Sequence, residues 1–452
     1  MDKKTLKKLL KAIPGGSHTY SRGFDQFPSN APTILKKGKG AYVYTDKNKK
    51  LLDYGMGLRS VNIGYSEKSV LEAVRKSIEN GNNLTLPSTV ELEAAQLILK
   101  LIKSADMVKF AKNGSTVVTA AIKLARAYTR REKILVCKDH PFFSYDDWFI
   151  SSTPIKRGIP NNILKNIISF KYNSINEVKN KILKYKNKIA AIVLEPSHQE
   201  CPYKKPEKEM CCGELNCKYS KKKNFLQEIQ TLCKKNNIVF ILDEMITGFR
   251  WDIHGAQNLY KVKPDLSTFG KAMANGFSIS ALCGKRKIMK LGSIEFKKKE
   301  RVFLISSTFG AEMSSLAAFL STIKFIKTNN VINKNWDYGK NLKKIFNELA
   351  KECKIEKYIY MGGINCSPFF VCKNKKYEIS LDFRTLLMQE MIKCGILFPN
   401  YISISHSHGK KELEITKKAI KKSFIIYKKA LKWGVKKYLE GDSIKPVFRK
   451  YN

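Results

Sequence analysis

Two residues near the middle of the chain are of types that could do chemistry together that neither does alone. Ile238-Val239-Phe240-Ile241-Leu242 is a short apolar run that reads as a buried strand, and it ends in two carboxylates, Asp243 and Glu244. A second strand-like piece, Asp265 to Phe269, ends in Gly270-Lys271-Ala272. In an open α/β sheet, strand ends of this kind face the ligand crevice. A lysine amine placed there condenses with an aldehyde, and a buried carboxylate keeps a heterocyclic nitrogen protonated. A lone strand-end Asp serves as a helix cap and a lone Gly-Lys as solvated loop, so the pairing carries the argument.

The pair calls for an anion site as well. Lys112-Asn113-Gly114-Ser115-Thr116 sits between a strand-like piece and a well-formed helix. Backbone N–H groups at such a helix start, with a glycine and two hydroxyls, bind phosphate. Ser and Thr at a helix start also act as simple N-caps, so this stretch gains its meaning from Asp243 and Lys271. The three features together suit pyridoxal 5′-phosphate (PLP).

The elements that must position these groups follow an alternating pattern. Met107–Ala111 reads as strand, Thr116–Thr129 as helix and Lys133–Cys137 as strand. Ile189–Glu195 follows as strand and Asn224–Asn236 as helix, ahead of the two central strands. This predicts a doubly wound, mostly parallel sheet. Upstream, Ala41-Tyr42-Val43-Tyr44 suggests a small antiparallel hairpin, and residues 69–80 and 90–103 carry helical periodicity. Downstream of Ser314 come a long helix, short strands such as Phe369–Cys372, and an amphipathic helix over about Glu412–Tyr438. The expected fold class is α/β, with a large domain over 65–320. A smaller α+β domain over 321–452 is joined by the segment 1–64.

With these motifs in hand, the chain resembles the class III (ω-) aminotransferases of PLP fold type I, and most of all the glutamate-1-semialdehyde 2,1-aminomutase-like branch. The likeness spans about residues 10–440. It begins at Ile13-Pro14-Gly15-Gly16 and is strongest at Asp243-Glu244-Met245-Ile246-Thr247-Gly248-Phe249-Arg250 and Gly270-Lys271-Ala272-Met273-Ala274-Asn275-Gly276. It implies that Lys271 carries PLP as a Schiff base and then moves the substrate proton, and that Asp243 pairs with the ring nitrogen. It further implies that Gly114 and Ser115 bind the phosphate, that Phe142 and Met245 cover the two ring faces, and that Glu195 lines the site. Thr308 would reach the phosphate of a neighbouring subunit, implying a homodimer with a shared active site. Arg22 would hold the substrate carboxylate, a role that a guanidinium fork suits.

Three departures fall on the substrate side. The family's Ser-Gly-Thr/Ser-Glu-Ala is Asn113-Gly114-Ser115-Thr116-Val117 here, without the glutamate. Its Tyr-His-Gly is replaced around Phe142-Phe143-Ser144, and Leu58-Arg59 stands where many relatives place an aromatic. The implied activity is amino-group transfer on a small amino or oxo compound, as an aminotransferase or an aminomutase. A carbohydrate- or polysaccharide-pathway aminotransferase is an alternative, and a non-catalytic basic nucleic-acid-binding protein is a second one that the intact Asp243/Lys271 pair disfavours.

The 452 residues carry 84 Lys and Arg against 39 Asp and Glu, a formal charge of +45. The lysines are spread along the chain, and no aromatic-interleaved RNA motif or zinc-finger spacing accompanies them, so no nucleic-acid partner is expected. No apolar run approaches a membrane span, and the N-terminus lacks the apolar core of a signal peptide. Eleven irregularly placed cysteines point to reduced thiols and a cytoplasmic location. Cys201, Cys211, Cys212 and Cys217 lie in a lysine-rich insertion after Glu195. Four thiols can ligate zinc, but without a CxxC pair the spacing favours a reduced surface loop over a metal site.

Overall fold

The computed structural model describes residues 1–140, 142–197, 200–203, 219–220, 222–295 and 300–451. The chain forms two compact units, the larger from Lys68–Glu209 and Leu215–Ile332, the smaller from Met1–Glu67 and Asn333–Arg449.

The larger unit is organised by a seven-stranded sheet. Its strands are β1 (Met107–Ala111), β2 (Lys133–Cys137), β3 (Ile167–Phe170), β4 (Ile189–Leu194), β5 (Val239–Asp243), β6 (Leu266–Phe269) and β7 (Ser280–Gly284). Across the sheet the order is β1-β7-β6-β5-β4-β2-β3. Strands β4, β5 and β6 are buried along their whole length, which is why β4 and β5 up to Asp243 are continuously apolar rather than alternating, while β6 carries the buried hydroxyls of Ser267 and Thr268. Every pairing is parallel except those of β7, which runs antiparallel to both β1 and β6. The chain returns from the end of β6 to β7 within about ten residues, too few for the crossover that a parallel neighbour requires.

Helix α1 (Gly114–Thr129) follows β1, and α2 (Phe225–Lys235) precedes β5. The Asn113 carboxamide oxygen caps α1 by accepting from the Thr116 N–H at 3.0 Å. The loop leading to it is pinned by β7 and its approach, because Ser278 Oγ donates to the Lys112 carbonyl at 2.7 Å and Ser280 Oγ to the Asn113 carbonyl at 2.8 Å. At α2, Asn224 and Gln227 form a reciprocal capping box. The helix Met313–Thr328 packs against the helices Lys68–Glu79 and Thr89–Leu101.

The smaller unit holds a four-stranded sheet, Leu35–Lys39, Tyr42–Thr45, Lys50–Asp53 and Ile396–Leu397, and a two-stranded hairpin, Ile359–Gly362 with Phe369–Cys372. Its core gathers Leu342, Phe346, Phe370, Phe398, Phe424 and Tyr427. Tyr54 is buried there with its hydroxyl satisfied by Tyr338 at 2.6 Å and Thr416 at 2.7 Å. The last α-helix runs Lys410–Trp433, ending short of the expected Tyr438. Gly434 stops it with φ of 95°, a left-handed position that a glycine adopts without steric cost. Among the described residues no helix is long and apolar enough to cross a membrane.

Candidate active site

The carboxyl ends of β5 and β6 bring Asp243 and Lys271 together. Parallel pairing sets Asp243 beside Thr268, whose hydroxyl donates to Asp243 Oδ1 at 3.1 Å. The Met245 N–H donates to the same oxygen at 2.9 Å. Asp243 is 2% exposed; burial raises its pKa to about 6, against the lowering pull of these two donors and of the Lys271 cation. Both hydrogen bonds fall on Oδ1, leaving Oδ2 for a donor that the described residues do not supply. A protonated ring nitrogen meets that need, so the acid fits PLP.

Lys271 opens a short 3-10 turn, Lys271–Ala274, and holds a φ of 44°. A side chain with a Cβ is uncommon in that region, and such positions concentrate where function over-rides local preference. Gly270 before it is extended; what demands a glycine is Met245, whose Sδ would lie 2.6 Å from a Cβ placed there. The same sulfur would lie 3.0 Å from a Cβ on Gly114. Met245 therefore bridges the start of α1 and the residue before Lys271. Gly114, Met245, Gly270 and Lys271 form one neighbourhood on the edge of the sheet where Asp243 ends its strand.

Ser115 is buried in the first turn of α1 and its Oγ accepts from the Tyr145 N–H at 3.1 Å. That bond ties the loop after β2 to the helix start. Trp148 Nε1 donates to Thr119 Oγ1 at 2.8 Å and Ser144 Oγ to Asp146 Oδ2 at 2.9 Å, which secure the same loop. Phe142 is 46% exposed and meets Phe149 edge-on at 5.6 Å, whereas Phe143 is buried. Glu195 follows β4 and is 3% exposed; its N–H donates to His140 Nδ1 at 2.9 Å. His140 is buried as well, which pushes its pKa down to about 3, so the ring is neutral with its proton on Nε2.

Thr308 stands exposed in the turn Ser307–Gly310 of the larger unit. Arg22 is exposed in a single turn, Tyr20–Arg22, and belongs to the smaller unit. So does Arg59, whose guanidinium lies over the Tyr401 ring at 4.9 Å. Met56, Gly57, Leu58 and Arg59 all have positive φ, from 42° to 70°, and the turn is braced by Asp53, which accepts from the Gly55 N–H at 2.7 Å and the Met56 N–H at 3.0 Å. Cys201 is buried, and its carbonyl accepts from Asn173 at 3.1 Å. Cys211, Cys212 and Cys217 lie outside the described residues; within those described, no group of three potential metal ligands converges.

Reading from the sequence passed over Thr268 and His140. Thr268 had a signal: Ser267-Thr268 are the polar pair in an otherwise apolar buried strand, and a buried hydroxyl needs a partner. His140 had none, because nothing local shows that its imidazole turns back to the end of β4.

The two adjacent acids part company. Glu244 is fully buried and accepts from Thr247 Oγ1 at 2.6 Å, the Ala256 N–H at 2.7 Å and the Gln257 N–H at 2.9 Å. It braces a turn, with both its oxygens occupied by these donors. Burial raises its pKa to about 7. Since its folded pKa is raised, the stability it contributes is complete below its unfolded value and declines as pH rises through about 7. Glu244→Gln turns an N–H₂ toward one of three donors and should lower unfolding free energy by about 1–3 kcal/mol at pH 6 in urea titrations. The deficit should narrow above pH 7, where only the wild type bears the buried charge.

An acid with one oxygen in reserve, an amine within its field and a glycine-opened helix start, all on one edge of an α/β sheet, define the larger unit as that of a PLP-dependent enzyme of fold type I. The chain belongs to the class III aminotransferases, whose family profile matches residues 25–382. It is 31% identical over 444 residues to glutamate-1-semialdehyde 2,1-aminomutase of Wigglesworthia glossinidia brevipalpis, covering 92% of this chain and 96% of that one. To the enzyme of the same name from Fusobacterium nucleatum it is 30% identical over 439 residues, covering 92% and 96%. Its fold superposes on the PLP-bound FumI protein of Sphingopyxis sp. MTA144 with a TM-score of 0.82 at 20% identity, over 95% of this chain and 97% of that one.

Proposed function

We propose that the protein transfers an amino group on a small amino or oxo compound, with Lys271 and Asp243 as its catalytic pair. The observation that carries this is the placement of a buried carboxylate, both of whose protein hydrogen bonds fall on one oxygen, within the field of the Lys271 ammonium.

When bound, PLP supplies an electron sink for negative charge at the substrate carbon that bears the amine. Lys271 Nζ would hold the cofactor through its aldehyde carbon and, as a free amine, would be the base that takes a proton from the substrate carbon and returns it. Asp243, with both protein hydrogen bonds on Oδ1, would pair with the ring nitrogen and keep it protonated. Gly114 and Ser115 receive the phosphate at the start of α1, where the helix dipole favours an anion. Met245, which packs against Gly114 and Gly270, would cover one face of the ring, with Phe142 assigned the other face and Glu195 the rim. Arg22 is assigned the substrate's carboxylate, and Thr308 the phosphate of a second copy in a homodimer. Exposed apolar side chains in the same unit as Thr308, among them Leu86, Phe303 and Phe309, suit such an interface. The cysteines described are all free thiols, consistent with the cytoplasm as the site of action.

The test is an absorption spectrum of the purified protein with PLP, followed by addition of amines and oxo compounds. A band at the edge of the visible that an amino donor bleaches and an oxo acceptor restores is the expected outcome. Bleaching by a diamine or aminoaldehyde alone identifies an aminomutase. Absence of any band after adding PLP would refute the assignment of Lys271.

A further inference from the structure

The edge of the sheet opposite the catalytic pair carries a second concave site. Antiparallel pairing sets Gly284, the end of β7, against Leu266 and Met107, the first residues of β6 and β1. The residues just outside these positions therefore lie at the far edge from Asp243 and Lys271. Strands of four to five residues separate the two edges by about 15 Å.

At that far edge Lys103, Ser104, Asp106, Lys263, Lys285, Arg286, Lys287 and Lys290 line a shallow, open hollow of about 640 Å³. Six of its eight lining residues are cationic, where 84 of 452 are in the chain as a whole. A lysine-rich composition explains scattered surface charge; it does not explain this enrichment from three separate segments around one concavity. The acids nearby leave most of the charge in place. Asp265 pairs with Lys285 at 2.6 Å, and Asp106 is engaged by the Arg286 N–H at 2.9 Å. Like charges gathered around one hollow repel, and an anion relieves that repulsion.

We propose that this hollow binds a small oligoanion bearing several phosphate groups. Its volume falls within the range of small-molecule sites, whereas a duplex backbone or a membrane surface needs an extended face. Among the described residues its lining holds no aromatic ring, and the neighbouring Tyr128 ring is taken up by Lys287 Nζ at 5.7 Å, which favours phosphates alone over a nucleotide or single-stranded nucleic acid. Five lysines provide mobile point charges able to follow a chain of phosphates, and Arg286 adds one guanidinium fork. All these residues belong to the larger unit, and none is among those assigned to the reaction.

The experiment is titration calorimetry of the PLP-loaded enzyme with inorganic tripolyphosphate, the cofactor's own phosphate site being filled. Saturable binding of one equivalent per chain, weakening as salt is raised, is expected. The double variant Lys103→Glu with Lys263→Glu should bind at least tenfold more weakly while its absorption spectrum and turnover are retained. A control with the same change in net charge, Lys7→Glu with Lys8→Glu, should bind as the wild type does. Three results would overturn the proposal: no stoichiometric binding, equal loss in both double variants, or retention of full affinity in the first. Tighter binding of single-stranded DNA than of tripolyphosphate at the same hollow would do so too, since it would make the ligand a nucleic acid.

Discussion

Lys271→Ala should abolish turnover, by about 10⁶-fold, the scale on which loss of a covalent nucleophile acts. The cofactor should leave on dialysis, since nothing else in the site bonds to its aldehyde. The fold should persist. Lys271 is partly exposed, and its backbone is set by the end of β6 and the short turn Lys271–Ala274 rather than by its amine. The left-handed φ of 44° adds a control, because Ala keeps the Cβ that this conformation disfavours and Gly removes it. Lys271→Gly should thus be as inactive as Lys271→Ala yet more stable, by about 1 kcal/mol. Thermal melts and turnover measured on both variants separate chemistry from strain. Either variant turning over at the wild-type rate would remove Lys271 from the mechanism.

Asp243→Asn is the second large effect. The amide fits the same space and its oxygen can still accept from Met245 and Thr268, so PLP should still bind. The ring nitrogen would lose its ionic partner, and the rate should fall about 10²–10³-fold, as for loss of other preorganised electrostatic partners. The acid's environment adds a pH signature. Burial raises the Asp243 pKa to about 6, so in the protein without cofactor its favourable contribution is complete below about 4, the ordinary carboxylate range, and is lost as pH climbs through 6. A cationic ring nitrogen offsets that loss. The rise in melting temperature on adding PLP should therefore be larger at pH 7 than at pH 5 in the wild type, and the difference should disappear in Asp243→Asn. Equal increments at both pH values in the wild type would place the ring elsewhere.

Much of this was legible in the chain. Strands β1 and β2 fall where the apolar runs end in turn residues, and α1 and α2 follow helical periodicity, though the capping roles of Asn113 and Asn224 came from the structure. The end of β5 could be read because a buried parallel strand is short, continuous and apolar, and that of β6 from the Gly270-Lys271 that follows it; residues just beyond such carboxyl ends face the crevice. Strand β7 was not legible. Its Ser280-Ala281-Leu282-Cys283-Gly284 has no alternation and small side chains, and only the shortness of the return from β6 explains its direction. Strand β3 was also missed, since its partly buried edge position gives neither a clean period nor a continuous apolar run.

The sequence by itself determined which groups are available: an acid and an amine at the ends of two buried strands, and a glycine with hydroxyls at a helix start. Those are set by local order along the chain, which fixes what terminates each element. Only the tertiary structure decided which acid keeps an oxygen free of donors among the described residues. Asp243 and Glu244 are neighbours in sequence with the same chemistry, but Glu244 turns toward the turn at Ala256–Gln257, where three donors hold it, and Asp243 toward Lys271. Tertiary structure also decided that Met245 reaches both Gly114 and Gly270, and that six cations scattered over some 190 residues line one hollow on the opposite edge. Contacts between residues far apart in the chain depend on strand register and packing, and no local pattern encodes them.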